Sequence, residues 1–431
     1  MKTTDNMEHM KIAVIGLGYV GLPLARLFST KFPTVGFDLN HERVEQPMKG
    51  TDVTREVDDT LLQQAIENGF VCTTELEDLA DCNFYVIAVP TPVDINNRPV
   101  LTPLIKASET VARVIKKGDV VVYESTVYPG VTEEECLPVI EAHSGLKYNV
   151  DFFAGYSPER INPGDKEHTV EKIVKVTSGS TEAIADLVDG VYNAVLENGT
   201  HKASCIRVAE ASKIIENAQR DVNIAFMNEL AKTFNAMGID TQEVIDAAST
   251  KWNFIRLRPG LVGGHCISVD PYYLIQKAQV YGVLPRLMSD ARRLNDGMGE
   301  YVGEQVIKLL NKKGVLVKDA KILILGVTFK ENCPDIRNTK VVDIYTTFKE
   351  YTSFIKVVDL HARAAEVWEE YHVVIHPELT EADKEAFNAV VLCVAHDEFK
   401  ELKLRDLLRS EQGVVYDVKG VLDKAMVDGR L

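Results

Sequence analysis

The stretch from Ile206 to Met237 contains neither glycine nor proline. Its apolar residues return at helical spacing, as Ala211, Ile214, Ile215, Ala218, Val222, Ala225 and Phe226, and Gly238 supplies the stop. The spacing predicts one uninterrupted helix, roughly 48 Å long at about 1.5 Å per residue. That is longer than a small domain needs. It suggests a central strut that joins two domains and offers a surface to a second subunit.

On the amino-terminal side, short apolar runs alternate with helix-length amphipathic segments. The runs Ile12–Ile15, Val35–Phe37, Phe84–Val89, Val120–Tyr123, Phe152–Tyr156 and Ile173–Val176 read as buried strands. Helical segments continue through Met298, followed by a basic link near Lys312–Gly314. The alternation then returns with Ile322–Leu325, Phe354–Val358, Val373–Ile375, Val390–Val394 and Val414–Tyr416. This rhythm builds parallel sheets covered by helices on both faces. The expected fold class is α/β: two Rossmann-like doubly wound domains joined by a long central helix and a helical middle domain, with boundaries at 1–202, 203–300 and 315–431.

Composition narrows the function. Across 431 residues, Lys plus Arg number 48 against 64 Asp plus Glu, a net charge of -16. That balance argues against nucleic acid or an anionic membrane as the main partner. The seven cysteines form no CxxC pair and no Cys/His zinc spacing, so a reduced cytoplasmic chain without a structural metal is expected. The apolar run Ile12–Leu27 is broken by Gly16, Gly18, Gly21 and Pro23, which makes it too short to span a bilayer.

That run instead reads as a strand entering Gly16-Leu17-Gly18-Tyr19-Val20-Gly21. The first glycine makes a tight turn, the second lets backbone approach a pyrophosphate, and the third lets helix and strand pack closely. The next strand ends at Asp38, whose carboxylate can hold ribose hydroxyls and repel a 2′-phosphate, which favours NAD over NADP. Val89-Pro90-Thr91-Pro92 and Glu124-Ser125-Thr126 would open onto the same crevice edge, although ordinary turn chemistry also accounts for them.

A second set of residues suggests covalent chemistry. Gly263-Gly264-His265-Cys266 is followed by Asp270-Pro271, a good start for a helix. A cysteine just before a helix N-terminus gains thiolate character, whereas most unpaired cysteines are simply small buried hydrophobes. On the long helix Lys213 and Asn217 share a face, and Arg220 extends it. Such a stripe is either a solvated side or the wall of a polar cleft. Glu159 follows the strand Phe152–Tyr156, where a carboxylate can serve as a base toward water or be a plain surface acid.

The ordered set GLGYVG, VPTPV, ESTVYPG, SPERINPGD, EASKIIENAQRDVNIAFMNE, GGHCISVDPYYL and FKENCPDIRNT resembles the UDP-glucose/UDP-mannose dehydrogenase family from about Met10 to Lys424. SPERINPGD is similar to the branch that oxidises UDP-N-acetylhexosamines. The resemblance implies that Cys266 is a nucleophile, that Lys213 and Asn217 stabilise an oxyanion, and that Asp270 stands beside the thiol. It implies that Thr126 and Glu159 hold and activate water. NAD would be held by Gly16, Gly18, Tyr19, Val20, Gly21, Asp38, Arg43, Pro90, Thr91, Thr126 and Arg337. The UDP-sugar would meet Glu159, Arg160, Lys213, Asn217, Gly263, Lys330 and, on a looser alignment, Lys419. UDP-glucose members carry a second glutamate where this chain has Pro163, so that acid's role does not transfer.

The implied reaction is a four-electron oxidation at carbon 6 by way of a Cys266 thioester, in a homodimer built through the long helix. Arg256 or Arg258 is a candidate to reach a neighbour's substrate. Sister sugars, a two-electron β-hydroxyacid-type dehydrogenase and a non-catalytic nucleotide-sugar binder are the competing readings.

Overall fold

The computed structural model describes residues 7, 9–52, 54, 56–94, 96–161 and 169–431. Pro163 lies outside them. The chain packs into two compact units. The first ends at Glu216 and takes in Tyr272–Tyr281, and the second comprises Asn217–Pro271 and Gly282–Leu431. The dividing line runs through the long helix and so through the 203–300 segment.

In the first unit an eight-stranded sheet has the order β3-β2-β1-β4-β5-β6-β7-β8 among the described residues. These strands are Ile12–Ile15 (β1), Thr34–Phe37 (β2), Val71–Thr73 (β3), Phe84–Ile87 (β4), Val120–Tyr123 (β5), Phe153–Tyr156 (β6), Lys175–Gly179 (β7) and Thr200–Lys202 (β8). Successive side chains of a strand point to opposite faces. Ile12, Val14, Val86 and Val122 therefore join one core with Leu24 and Phe28, while Ala13, Ile15, Ile87 and Tyr123 join another with Leu104 and Val111. Strands buried on both faces read as continuous apolar runs, which is why β1, β4 and β5 were visible in the sequence.

Three strands depart from expectation. β3 and β8 are three residues each and too short to announce themselves. The run expected at Ile173–Val176 is β7, shifted to Lys175–Gly179 and antiparallel to β6. A parallel neighbour needs a crossover of a dozen or more residues, usually helical; an antiparallel one does not.

The second unit repeats the plan. Ile322–Leu325 (β9), Ile355–Val358 (β10), Ile375–His376 (β11), Ala389–Leu392 (β12), Val414–Asp417 (β13) and Gly429–Arg430 (β14) form a parallel sheet in the order β11-β10-β9-β12-β13-β14. Both sheets thus contain the 3-2-1-4-5-6 strand order of the doubly wound dinucleotide fold.

The long helix spans Ile206–Met237 as the sequence predicts. Its faces are less simple than its periodicity. Ile214, Ala218 and Ala225 are buried, but Ile215 and Phe226 are 56% and 59% exposed. Glu210, Lys213, Asn217, Asp221 and Asn228 are buried instead. Lys213 and Asn217 are therefore not on a solvated side. Arg220 is exposed and does not extend their face; Asp221 does, and it pairs with the buried Arg292 at 2.5 Å. No helix among the described residues is long and apolar enough to cross a membrane, and no His/Cys/Asp/Glu group there could hold a metal.

Candidate active site

The three glycines after β1 are required for three different reasons. Gly16 has φ +95°, and a Cβ there would sit 2.8 Å from the Ala88 carbonyl. A Cβ on Gly21 would lie 1.7 Å from the Gly16 carbonyl, so the helix Gly21–Ser29 could not approach the strand. A Cβ on Gly18 would meet nothing within 4 Å. Neither turn geometry nor packing explains that glycine, but a ligand resting on the loop does, and the helix start behind it presents N–H groups to an anion. The residues present thus fit a dinucleotide pyrophosphate. Asp38 accepts hydrogen bonds from Leu17 N at 2.8 Å and Asn40 N at 2.9 Å, which fixes its carboxylate at the end of β2. Tyr19 and Val20 are half-buried at the helix start, and Arg43 is half-buried in the helix His41–Met48.

The loops after β4 and β5 are tied to each other. Thr91 Oγ1 donates to the Thr126 carbonyl at 2.8 Å, and Ser125 Oγ donates to the Val89 carbonyl at 2.6 Å. Tyr273 OH donates to the Thr91 carbonyl at 2.8 Å. Pro90 stays exposed and Thr126 half-buried.

Glu124, expected at the crevice edge, turns inward and is fully buried. It accepts from Lys175 Nζ at 2.6 Å and from Tyr192 OH. Burial pushes its carboxyl up to about 7, and the Lys175 ammonium pulls against that rise. Glu159 follows β6 and is 8% exposed. Its Oε1 accepts from Ile161 N, while its buried Oε2 has no hydrogen-bond partner among the described residues. Arg160 commits its guanidinium to Glu216, at 2.8 Å, and to the Val174 carbonyl, at 2.6 Å.

In the second unit Cys266 lies in the turn ahead of the helix Asp270–Val280, and Asp270 N donates to the Cys266 carbonyl at 2.8 Å. Asn217 Nδ2 donates to Asp270 Oδ2. The Asp270 carboxylate therefore faces the long helix. Cys266 is half-buried, whereas Cys72, Cys82, Cys136, Cys333 and Cys393 are buried. Burial raises the Cys72 and Cys136 thiols to about 12 and the Cys82 thiol to about 11, which makes them poor nucleophiles.

The glycines before Cys266 serve packing. A Cβ on Gly263 would meet the Asn338 carbonyl at 2.7 Å, and one on Gly264 (φ +80°) would meet the Phe329 ring at 2.8 Å. The loop carrying Cys266 thereby rests on the loop carrying Lys330 and Arg337. Lys330 Nζ stands 5.4 Å from the Phe329 ring centroid, and Arg337 pairs with Asp335 at 2.6 Å. Lys419 pairs with Glu331 at 2.9 Å, beside Lys330 in sequence.

Sequence reasoning missed Lys175, Phe329 and Asn338. Lys175 did leave a signal, as a charged residue inside an otherwise apolar run. Phe329 and Asn338 stand in the FKENCPDIRNT motif, but nothing there shows their contacts, which are made across more than 60 residues of chain.

Comparisons with known proteins agree with this geometry. The profile for the NAD binding domain of the UDP-glucose/GDP-mannose dehydrogenase family matches residues 10–196, its central domain 207–297, and its UDP binding domain 323–424. The family's second sugar nucleotide is thus GDP-mannose, not UDP-mannose. The UDP-N-acetyl-D-glucosamine 6-dehydrogenase of Pseudomonas aeruginosa is 54% identical, covering 99% of this chain and all of its own length. The enzyme of the same name from Salmonella typhi is 50% identical, covering 99% of each. The structure of UDP-D-ManNAc dehydrogenase from Pyrococcus horikoshii superposes with a TM-score of 0.88 at 28% identity, covering 98% of each chain. With a glycine cradle, a second doubly wound sheet and a half-buried cysteine matched in order along its whole length, the chain belongs to the UDP-glucose/GDP-mannose dehydrogenase family and is an NAD-dependent dehydrogenase.

Proposed function

We propose that the chain oxidises UDP-N-acetyl-D-glucosamine twice at carbon 6, giving the uronic acid through a thioester on Cys266. The observation that carries the covalent step is Cys266 itself. It is a half-buried thiol in the turn ahead of a helix N-terminus, four residues from Asp270, while five of the other cysteines are sealed in cores. The choice of sugar rests on full-length identity of 50–54% to enzymes of that name, against 28% to the UDP-D-ManNAc enzyme.

Bound NAD supplies the hydride acceptor. The chain's own residues do the rest. The Cys266 thiolate attacks the sugar aldehyde, so that the second oxidation starts from a thiohemiacetal and ends at a thioester. Lys213 and Asn217 carry N–H donors of the kind that stabilise developing oxyanion charge, each typically worth about 10² to 10³ in rate. Glu159, with Thr126, takes the proton from the water that opens the thioester. Gly16, Gly18, Gly21 and Asp38 hold NAD, joined by Tyr19, Val20, Arg43, Pro90, Thr91 and Arg337. Arg160, Gly263, Lys330 and Lys419 hold the UDP-sugar. The functional parts are 1–202 for NAD, 203–300 as the helical centre and 315–431 for the UDP moiety, and the three profile matches support this division.

A homodimer through the long helix is part of the same reading, supported by Ile215 and Phe226 standing exposed on it. So is a cytoplasmic location, supported by seven cysteines without a disulfide. The test is a panel of UDP-sugars with NADH counted per sugar consumed. UDP-N-acetylglucosamine should give both NADH and the acid. Turnover of UDP-glucose alone would overturn the choice of sugar, and one NADH per sugar would favour a two-electron enzyme.

A further inference from the structure

Lys175 is a fully buried cation at the start of β7, the strand next to the edge of its sheet. Burying an ion pair usually stabilises less than apolar side chains of the same size would, so its retention calls for a reason other than stability. Its contacts supply one. Lys175 Nζ donates to Glu124 Oε2 at 2.6 Å and to the Pro158 carbonyl at 3.1 Å. Pro158 is the residue before Glu159. On the other side, Glu159 N donates to the Glu124 carbonyl at 3.3 Å, and Ser157 N donates to the Tyr123 carbonyl at 3.0 Å. Tyr192 OH closes the second oxygen of Glu124, and the Lys175 ammonium lies 5.5 Å from the Tyr192 ring centroid. The peptide that leads into Glu159 is therefore held at both its polar groups, the carbonyl by Lys175 and the N–H by the Glu124 main chain. The carboxylate itself keeps one buried oxygen without a partner among the described residues. A base needs such an oxygen, held at a fixed place.

We propose that Lys175, with Glu124 as its counter-charge, is the positioning residue for Glu159 in the acid-forming step. The proposal rests on the reading of Glu159 as the base of that step. There the water oxygen bonds to the thioester carbonyl carbon, one water proton passes to Glu159, and the carbon–sulfur bond breaks to return the Cys266 thiolate. Neither Lys175 nor Glu124 touches substrate in this scheme. They act through the placement of one carboxylate, and earlier steps do not depend on them.

The test uses the full chain with Glu124→Gln/Lys175→Met, a neutral pair of similar size, beside Glu159→Gln. NADH is followed by stopped flow, acid-quenched protein is weighed intact for a sugar adduct on Cys266, and thermal unfolding is recorded. The double variant should keep its unfolding midpoint and release the first NADH within about two-fold of the wild-type rate. It should then accumulate the adduct, with turnover about ten-fold or more slower, the scale expected when a reacting group is misplaced. Glu159→Gln should show the same adduct. Wild-type turnover in the double variant would overturn the positioning role, as would a proportional loss of every step or a failure to fold, since the last would show that the pair serves the fold. Adduct in Glu159→Gln but not in the double variant would remove the clamp and leave the base. No adduct in Glu159→Gln would remove the reading of Glu159 and the clamp with it.

Discussion

Asn338 donates its side-chain amide to the Gly264 carbonyl at 3.0 Å, two residues ahead of Cys266. The Gly264 N–H donates in turn to the carbonyl of Arg337 at 3.1 Å. The Cys266 loop is thus sewn through both polar backbone groups of one residue to the loop that presents Arg337, and a glycine is what makes the seam fit.

Gly264→Ala should break it. The residue sits at φ +80°, and the new methyl would meet the Phe329 ring at 2.8 Å. Backbone strain and overpacking together should cost about 1–3 kcal/mol in urea unfolding. Turnover should fall further than the lost stability explains. Asn338→Gly isolates the amide, because glycine tolerates the φ of +53° found there. It should cost about 1 kcal/mol and lower kcat with little change in KM for NAD. A wild-type kcat in both variants would show that the seam does not place Cys266.

Cys266→Ala should abolish acid formation by at least about 10³-fold, because no second route splits the later oxidation into easier steps. Cys266→Ser should stall before the acid, since a serine hydroxyl is a weaker nucleophile at neutral pH. The measurement is product identity by mass spectrometry, with NADH counted beside it. Full acid production by either variant would remove the thioester from the mechanism.

The sequence made some of this legible and hid the rest for physical reasons. β1, β4, β5, β9 and β12 are fully buried runs, so composition alone marks them. The long helix was bounded correctly by Gly238 and by the absence of breakers. Its faces were not: Ile215 and Phe226 keep helical spacing but stand exposed, because periodicity reports a face and not what covers it. Nothing beside Gly263 and Gly264 in the chain tells what they pack against, because that is Phe329 and the Asn338 backbone, far along the sequence. Glu124 looked like a crevice residue because strand ends usually are. Lys175 on β7 and the Tyr192 hydroxyl, both distant in sequence, hold it inward.

Asp38 offers a test of cofactor choice. Its carboxylate is held by Leu17 N and Asn40 N at the end of β2, where ribose hydroxyls would be recognised. Asp38→Ser removes the charge and one of the two oxygens that bridge Leu17 N and Asn40 N. A hydrogen bond to a charged group is worth about 1.5–3 kcal/mol, so KM for NAD should rise about ten-fold or more. Discrimination against NADP should shrink, because the repelling carboxylate is gone. Steady-state kinetics with each cofactor decides it, and an unchanged NAD/NADP ratio would relieve Asp38 of the role.

The second doubly wound sheet carries its own titrating lock. Asp359, buried after β10, accepts from Val327 N at 2.6 Å, from Thr328 N at 3.2 Å, and from His361 N and Ala362 N at 2.8 Å each. His396 completes the set: Asn332 N donates to its Nδ1 at 3.0 Å, so Nε2 carries the hydrogen and faces Asp359 at 3.1 Å. Burial pushes the Asp359 carboxyl up, but the bonds from His396, Val327 and Ala362 outweigh it and hold the group at about 2, below its ordinary 3.8. A depressed carboxyl contributes stability above its unfolded pKa and loses it as pH falls toward the folded one. The shift corresponds to about 2 kcal/mol, present at pH 7 and lost between about pH 4 and pH 2. Asp359→Asn cannot titrate, so the stability gap between wild type and variant in urea unfolding should narrow by about that amount across the same window. A gap that stays constant from neutral pH to the acid limb would mean that the carboxyl titrates alike in the folded and unfolded chain, and that the bonds around it confer no preference for its charged form.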